Sequence, residues 1–221
     1  MLSTATTHNR TGFGRNRLLQ ALVAWYAVIW VVTAIHPVYP ADWLLENILA
    51  LIAITGLVAT YRIFRLSDLS YLLITAFMTL HAVGAHYTYA EVPLGEWMQS
   101  AFSLSRNHYD RLVHFSFGLL LAYPVREVFL RVASTRGIWA YYLPLDVTLA
   151  FSALYEIVEW LVAAMVAPQA GDAYLGTQGD IWDAQKDMLA AGIGALLCMS
   201  ITVIVRRQRG QRAVLLAGES R

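Results

Sequence analysis

Residues 181–212 read IWDAQKDMLAAGIGALLCMSITVIVRRQRGQR, and this stretch decides the fold. Asp183, Lys186 and Asp187 crowd its start, no charge interrupts it from Met188 to Val205, and Arg206, Arg207, Arg209 and Arg212 follow at once. A helix over 181–205 has the roughly 20 residues that cross about 30 Å of hydrocarbon at 1.5 Å per residue. Five more segments share its character, at 18–35, 43–61, 69–87, 108–130 and 139–166. Composition agrees, with 58% hydrophobic and 14% charged residues and a mean hydropathy of +0.51. A soluble domain of 221 residues would have to bury six helices that are apolar nearly all round. The expected fold is all-α: a polytopic, six-transmembrane-helix bundle forming one domain over 17–207, with flexible tails at 1–16 and 208–221.

The arginines give an orientation independently, because positive residues are retained on the cytoplasmic side during insertion. Arg10, Arg15 and Arg17 precede the first span, and Arg62 and Arg65 follow the second. Arg126, Arg131 and Arg136 surround the fourth connection, and the final cluster follows the last span. All of these ends fall on one side. The opposite loops, near 36–42, 88–107 and 167–180, contain only Arg106, with Arg111 and Lys186 just inside the helices that follow. Both termini are therefore expected in the cytoplasm of a bacterial-type inner membrane. The first span resembles a secretory signal only superficially: Ala34-Ile35-His36-Pro37 offers no small-x-small cleavage site. A single cysteine, Cys198, excludes an internal disulfide and a multi-cysteine metal site. The net charge of +1, with basic residues confined to one set of loops, indicates topology and contact with anionic lipid, not nucleic-acid binding.

Function is sought among the ionisable residues of the spans, since charge in hydrocarbon is costly and turns toward a bundle interior or a wet cavity. His36 ends the first span, Asp42 and Glu46 open the second, and His81 and His86 close the third. Asp110, Arg111 and His114 open the fourth, Glu156 and Glu159 lie in the outer half of the fifth, and Asp180, Asp183, Lys186 and Asp187 open the sixth. In the orientation above, all of these lie toward the outer face. Helical spacing allows them to converge, because residues three, four or seven apart share a face. Asn107, Asp110 and His114 form one such stripe, Ser152, Glu156 and Glu159 a second, and Asp180, Asp183 and Asp187 a third. His81 and His86 are about 140° apart around their helix, and the deeper His81 is the preferred member. The Trp and Tyr residues near span ends, Tyr89, Trp160 and Trp182 among them, suit interfacial anchoring. Gly84, Gly118, Gly192 and Gly194 suit close helix approach and leave the oligomeric state open.

Two resemblances follow from these motifs. Asp110-Arg111-Leu112-Val113-His114-Phe115, Glu156-Ile157-Val158-Glu159-Trp160 and the run from Asp187 to Gly194 resemble the ordered motifs of VanZ-like membrane proteins. Arg111 replaces that family's usual Lys, Glu159 its Gln and Ala191 its Asn. The resemblance implies work on the cell envelope. Over nearly the whole chain, through His36-Pro37, His81, Asn107 to Arg111 and Gly176 to Asp187, the sequence is more similar to the YjdF family of predicted bacterial inner membrane proteins. That similarity implies the topology and supplies no reaction.

Three readings of the polar cluster stand at this point. In the first, His81, His114, Glu156, Glu159, Asp183 and Asp187 hold Zn, Fe or Mn, and Asp110, Arg111, His114, Glu156, Glu159 and Asp187 carry catalysis on a lipid or envelope small molecule. No His-Glu-x-x-His or Glu-x-x-His motif supports it. In the second, the carboxylates bind a proton, cation or small ligand in a binding or transport protein, with Arg111 and Lys186 as counter-charges. In the third, Arg111 and Lys186 pair with Glu156, Glu159 or Asp187 as a purely structural core.

Overall fold

A computed structural model describes residues 12–165 and 176–219, with side chains described as far as residue 211. Among the described residues there are seven α-helices and no strand. They are α1 (Arg17–Ala34), α2 (Pro40–Thr60), α3 (Asp68–Tyr87), α4 (Pro93–Phe102), α5 (Tyr109–Arg131), α6 (Trp139–Met165) and α7 (Asp183–Glu219). All but the short α4 are long and apolar enough to cross a membrane, so the six expected spans are present, with ends within a few residues of their expected places. Two features differ. The loop expected at 88–107 contains α4, and helix continues to Glu219 where a tail was expected over 208–221. Of the other tail, residues 1–11 lie outside the described part.

Local chemistry sets several helix starts. Asn16 caps α1 by accepting from Leu19 N at 2.9 Å, and Ser67 caps α3 by accepting from Ser70 N at 3.2 Å. Pro40 and Pro93 stand in the first turns of α2 and α4, where a missing N–H costs nothing. Pro124 and Pro144 lie buried inside α5 and α6, a placement that packed neighbours tolerate in membrane helices.

Helix α5 is the hub, packed most extensively against α7 and also against α3 and α6, while α1 rests on α3. The α5–α7 crossing is close because it is made by glycines. A Cβ on Gly118 would overlap the Ala191 carbonyl, and one on Gly194 would overlap the Phe115 carbonyl. Gly84 faces the ring of Tyr89, and a Cβ on Gly192 would meet only Leu149 at 3.6 Å, an ordinary contact. Large apolar side chains such as Trp25, Val28, Ile52, Val58 and Ile201 face outward, whereas Glu46, Arg106, His114, Asp183 and Asp187 are buried. That inversion of a soluble protein's pattern is what a lipid surround requires.

Helix ends are grouped as alternation demands. At one end Glu127 of α5 accepts from Ser67 N, Ser67 Oγ and Ser70 Oγ at 2.7–3.0 Å, and Asn16 reaches Asp68 at 2.7 Å. At the other, Val38 N donates to the His86 carbonyl at 3.0 Å, and the 176–180 loop closes over the start of α5. The two ends are called basic and acidic below, after their side chains.

Candidate functional site

The acidic end is assembled around the entry to α5. Asn107 Oδ1 accepts from Tyr109 N at 3.0 Å and its Nδ2 donates to the Val92 carbonyl at 3.1 Å. Gly95 of α4 lies against that amide with no room for a Cβ. Asn107 N donates to Gln178 Oε1 and Gln178 Nε2 donates back to the Asn107 carbonyl, both at 3.0 Å. This reciprocal pair ties the 176–180 loop to α5, and a cation network completes the wall. Arg106 donates to the Gly176 and Thr177 carbonyls at 3.1 and 2.9 Å and to Asp183 Oδ1 at 2.5 Å. Arg111 donates to Asp183 Oδ1 at 2.6 Å and Asp180 Oδ2 at 2.8 Å, and Lys186 reaches Asp180 at 2.7 Å. Lys186 and Arg111 together hold the Asp180 carboxyl well below the usual carboxylate range. Burial, with Arg106 and Arg111 close by, pulls the His108 imidazole down.

Behind this wall lies a second group with few cations. His114 Nε2 stands 3.6 Å from Asp110 Oδ1, one helical turn earlier, and 3.4 Å from Glu156 Oε1 on α6. Arg111 Nε lies 3.4 Å from Asp187 Oδ1 without forming a hydrogen bond. Asp110, His114 and Asp187 each offer a ligand atom, and these atoms all lie within 4.8 Å of one another. Asp187 Oδ1 and Glu156 Oε1 are buried and have no hydrogen-bond donor among the described residues. Such orphaned acceptors cost free energy unless a proton or cation meets them. A cleft of about 310 Å³ opens beside them, lined by Asp110, Glu156, Glu159, Trp160, Asp183 and Asp187 among others.

The expected ligand set is thus divided. Glu156, Glu159 and Asp187 line the cleft, and His114 and Asp187 are joined by Asp110, expected as a catalytic group, in a trio of ligand atoms that does not include Glu156 or Glu159. His81 is not brought to it. Its Nε2 lies 3.3 Å from the Glu46 carbonyl and its Nδ1 2.6 Å from the Tyr89 hydroxyl. A carbonyl only accepts, so Nε2 carries the proton and Nδ1 accepts from Tyr89, which leaves no lone pair for a metal. Tyr89, expected as an interfacial anchor, is instead this histidine's partner, and burial pushes its phenol well up. Asp183 is committed to two guanidinium groups. Of the partners the ion-pair reading supposed, Arg111 meets Asp187, at 3.4 Å, and among the described residues neither Arg111 nor Lys186 pairs with Glu156 or Glu159; both pair with Asp180, and Arg111 also with Asp183.

Sequence reasoning passed over Arg106 as a loop residue and Glu46 as the opening of a span. Arg106 is buried in the network, and Glu46 accepts from Tyr155 OH at 2.9 Å, whose ring packs edge-on against His114 at 5.8 Å. The available signal was that Arg106 is the one basic residue in the loops of that end, and that Glu46 lies one turn deeper than Asp42.

Comparison with known proteins places the chain. It is 42% identical over 170 residues, covering 76% of this chain and 81% of the relative, to "Inner membrane protein YjdF" of Escherichia coli (strain K12). No solved structure matches. These matches support the YjdF resemblance and lend nothing to the VanZ-like one. A family model described as "Predicted membrane protein (DUF2238)" covers residues 18–208, all six spans and the cleft included, and the chain belongs to that family.

Proposed function

We propose that this protein is a divalent-metal-dependent enzyme of a bacterial inner membrane, acting on a lipid or cell-envelope molecule in the cleft between α5, α6 and α7. One observation carries the reading: the acid behind the cation wall is uncompensated. Asp110, Glu156, Glu159 and Asp187 line one cleft, and among the described residues the ion-pair contacts reaching them are His114 and the Nε of Arg111 and two of their oxygens are buried without donors. Like charges crowded in a low-dielectric site demand protons or a cation. Asp110, His114 and Asp187 would hold the ion, and an imidazole–carboxylate set suits Zn²⁺, Fe²⁺ or Mn²⁺. When bound, such an ion supplies a Lewis acid beside the cleft.

The chain's own groups fit supporting roles. Glu156, with Oε1 at 3.4 Å from His114 Nε2, is placed to hold and pass a proton. Arg106 and Arg111 brace Asp183, the residue one turn before Asp187 on α7, and so fix the direction of that helix start. Trp160, 62% exposed and lining the cleft, offers an apolar wall to the acyl part of a lipid. Beyond the cleft, α5 and α7 meet at Gly118 and Gly194, with Ala122, Ala195, Cys198 and Met199 packed behind. That dry layer favours chemistry at one face over passage across the membrane.

In this reading the arginine-rich end, both termini with it, lies in the cytoplasm, and the cleft opens on the opposite face. The location follows that of the Escherichia coli relative, whose name states it. Elemental analysis of the purified protein tests the proposal. We expect Zn, Fe or Mn near one equivalent, lost in Asp187→Asn and His114→Gln but retained in His81→Gln, and chelator-sensitive turnover of a bacterial lipid extract. Metal-free protein that neither takes up these ions nor changes a lipid extract would refute it.

A further inference from the structure

The basic end holds a second cleft, of about 650 Å³, lined among the described residues by Leu130, Thr135, Arg136, Gly137, Tyr141, Arg206, Arg207 and a few neighbours, with no acidic side chain among these. Against its wall sits Arg126. This arginine is 5% exposed, its guanidinium carbon lies 4.6 Å from the centre of the Tyr141 ring, and its Nε and Nη2 have no hydrogen-bond partner among the described residues. Thr135 Oγ1, which also lines the cleft, is buried without a partner. Positive-inside topology explains arginines at an interface, but it does not explain one that is buried with two open donors.

We infer that this cleft binds a phosphate-bearing anion, supplied by the headgroup of an anionic phospholipid. Four observations converge on that chemistry. Arg136 of the α5–α6 connection and Arg206 and Arg207 of α7 line the cleft, Arg126 of α5 lies behind it, and guanidinium donors suit phosphate oxygens in paired geometry. Helix α6 starts beside the cleft, with Ile138, Ala140 and Tyr141 in its lining, so the positive end of the helix dipole lies there. Thr135 adds a neutral donor. Around the rim, Val132, Ile138 and Trp139 are 68%, 76% and 57% exposed, an apolar surface on which acyl chains can lie. Tyr141, which lines the cleft, stacks on the Arg126 guanidinium and so ties that buried charge to the cleft wall.

The test is lipid binding to the intact protein in neutral detergent, read by native mass spectrometry. Phosphatidylglycerol, phosphatidylcholine and inorganic phosphate serve as probes. We expect phosphatidylglycerol to bind in preference to phosphatidylcholine. Its affinity should fall roughly fivefold or more in Arg126→Gln and again in Arg206→Gln/Arg207→Gln, whose exposed positions spare the fold. Arg62→Gln, an exposed arginine at the same end outside the cleft, should leave it unchanged. Competition by inorganic phosphate supports the shared phosphate chemistry, and phosphate binding as tightly as the lipid would make free phosphate the source. Equal weakening by Arg62→Gln, or no preference over phosphatidylcholine, overturns the site in favour of diffuse surface charge.

Discussion

Asp183 and Asp187 stand one turn apart on α7, both buried, and neutralising each should have opposite consequences. Asp183 Oδ1 lies 2.5 Å from Arg106 and 2.6 Å from Arg111. Asp183→Asn leaves Arg106, itself 6% exposed, without its near carboxylate, and breaking a buried pair from one side costs about 3–5 kcal/mol. Among the described residues Asp187 Oδ1 has no hydrogen-bond donor, and the cation paired with it, Arg111 with Nε at 3.4 Å, keeps Asp180 and Asp183. Asp187→Asn therefore relieves carboxylate crowding and leaves the stability of metal-free protein unchanged or raised. Metal reverses the comparison. At a free ion concentration of about 100 times its Kd, the wild type gains about 2.7 kcal/mol by linkage. A variant whose affinity is about 100-fold weaker gains only about 0.4 kcal/mol under the same conditions. Denaturant unfolding of detergent-solubilised protein with chelator, Zn²⁺ or Mn²⁺ measures both quantities. Asp183→Asn should be unstable yet keep the metal increment, and Asp187→Asn should be stable and lose it. If both variants lose stability alike and neither alters the metal response, the cluster is an ion-pair core and the proposed site is wrong.

Other expectations are separable from that one. Gly194→Leu drives a side chain into the Phe115 backbone, which cannot yield as a side chain can, and should destabilise by at least the 1–3 kcal/mol typical of overpacking; Gly192→Ala should stay within about 0.5 kcal/mol in the same unfolding assay. Tyr89→Phe removes the donor to His81 Nδ1 and should cost about 1–3 kcal/mol while leaving metal content unchanged, since His81 lies outside the ligand trio. The Asp180 carboxyl is depressed by Lys186 and Arg111, so its contribution is present above the ordinary carboxylate value near pH 4 and lost as pH falls toward its folded value. The stability difference between wild type and Asp180→Asn should therefore be evident at pH 7 and shrink steadily below about pH 4; a difference that grows with acid would contradict the pairing.

The spans were legible because hydrocarbon imposes a length and a polarity on each crossing segment, and both are local properties of the chain. The same holds for the stripes: Asp110 with His114, and Asp183 with Asp187, share faces by helical period alone, and those faces do meet. What period cannot supply is the partner arriving from elsewhere. Asp183 and Asp187 are equivalent on the helix, and only the folding of the 88–107 segment brings Arg106 to one of them. His81 and His114 both looked like ligands by depth. Their fates diverge because the chain turns after α3 through left-handed residues, Thr88 at φ 57 and Tyr89 at φ 47, and returns the Tyr89 hydroxyl to His81. Neither residue is glycine, so the turn carries no strong local signature. Helix α4 was missed for a related reason: ten residues opening on Pro93 are too few for a span, and its burial rests on Gly95 meeting Asn107.

One helix joins the two polar ends. Asp110 and Arg126 are 16 residues apart on α5, about 24 Å along its axis, with Gly118 and Ala122 in the dry crossing between them. Among the described residues, the acidic cleft holds carboxylate oxygens without donors, and behind the basic cleft Arg126 holds guanidinium nitrogens without acceptors. Were the packed layer wet, these opposite excesses could draw solvent and counter-ions through the bundle. Because α5 and α7 touch backbone to backbone there, neither excess can relieve the other, and each must be met from its own side of the membrane. A cation at one face and a phosphate-bearing anion at the other are the chemically complementary solutions. The glycine crossing that keeps the ends apart is therefore as much a condition of both sites as the charged residues themselves.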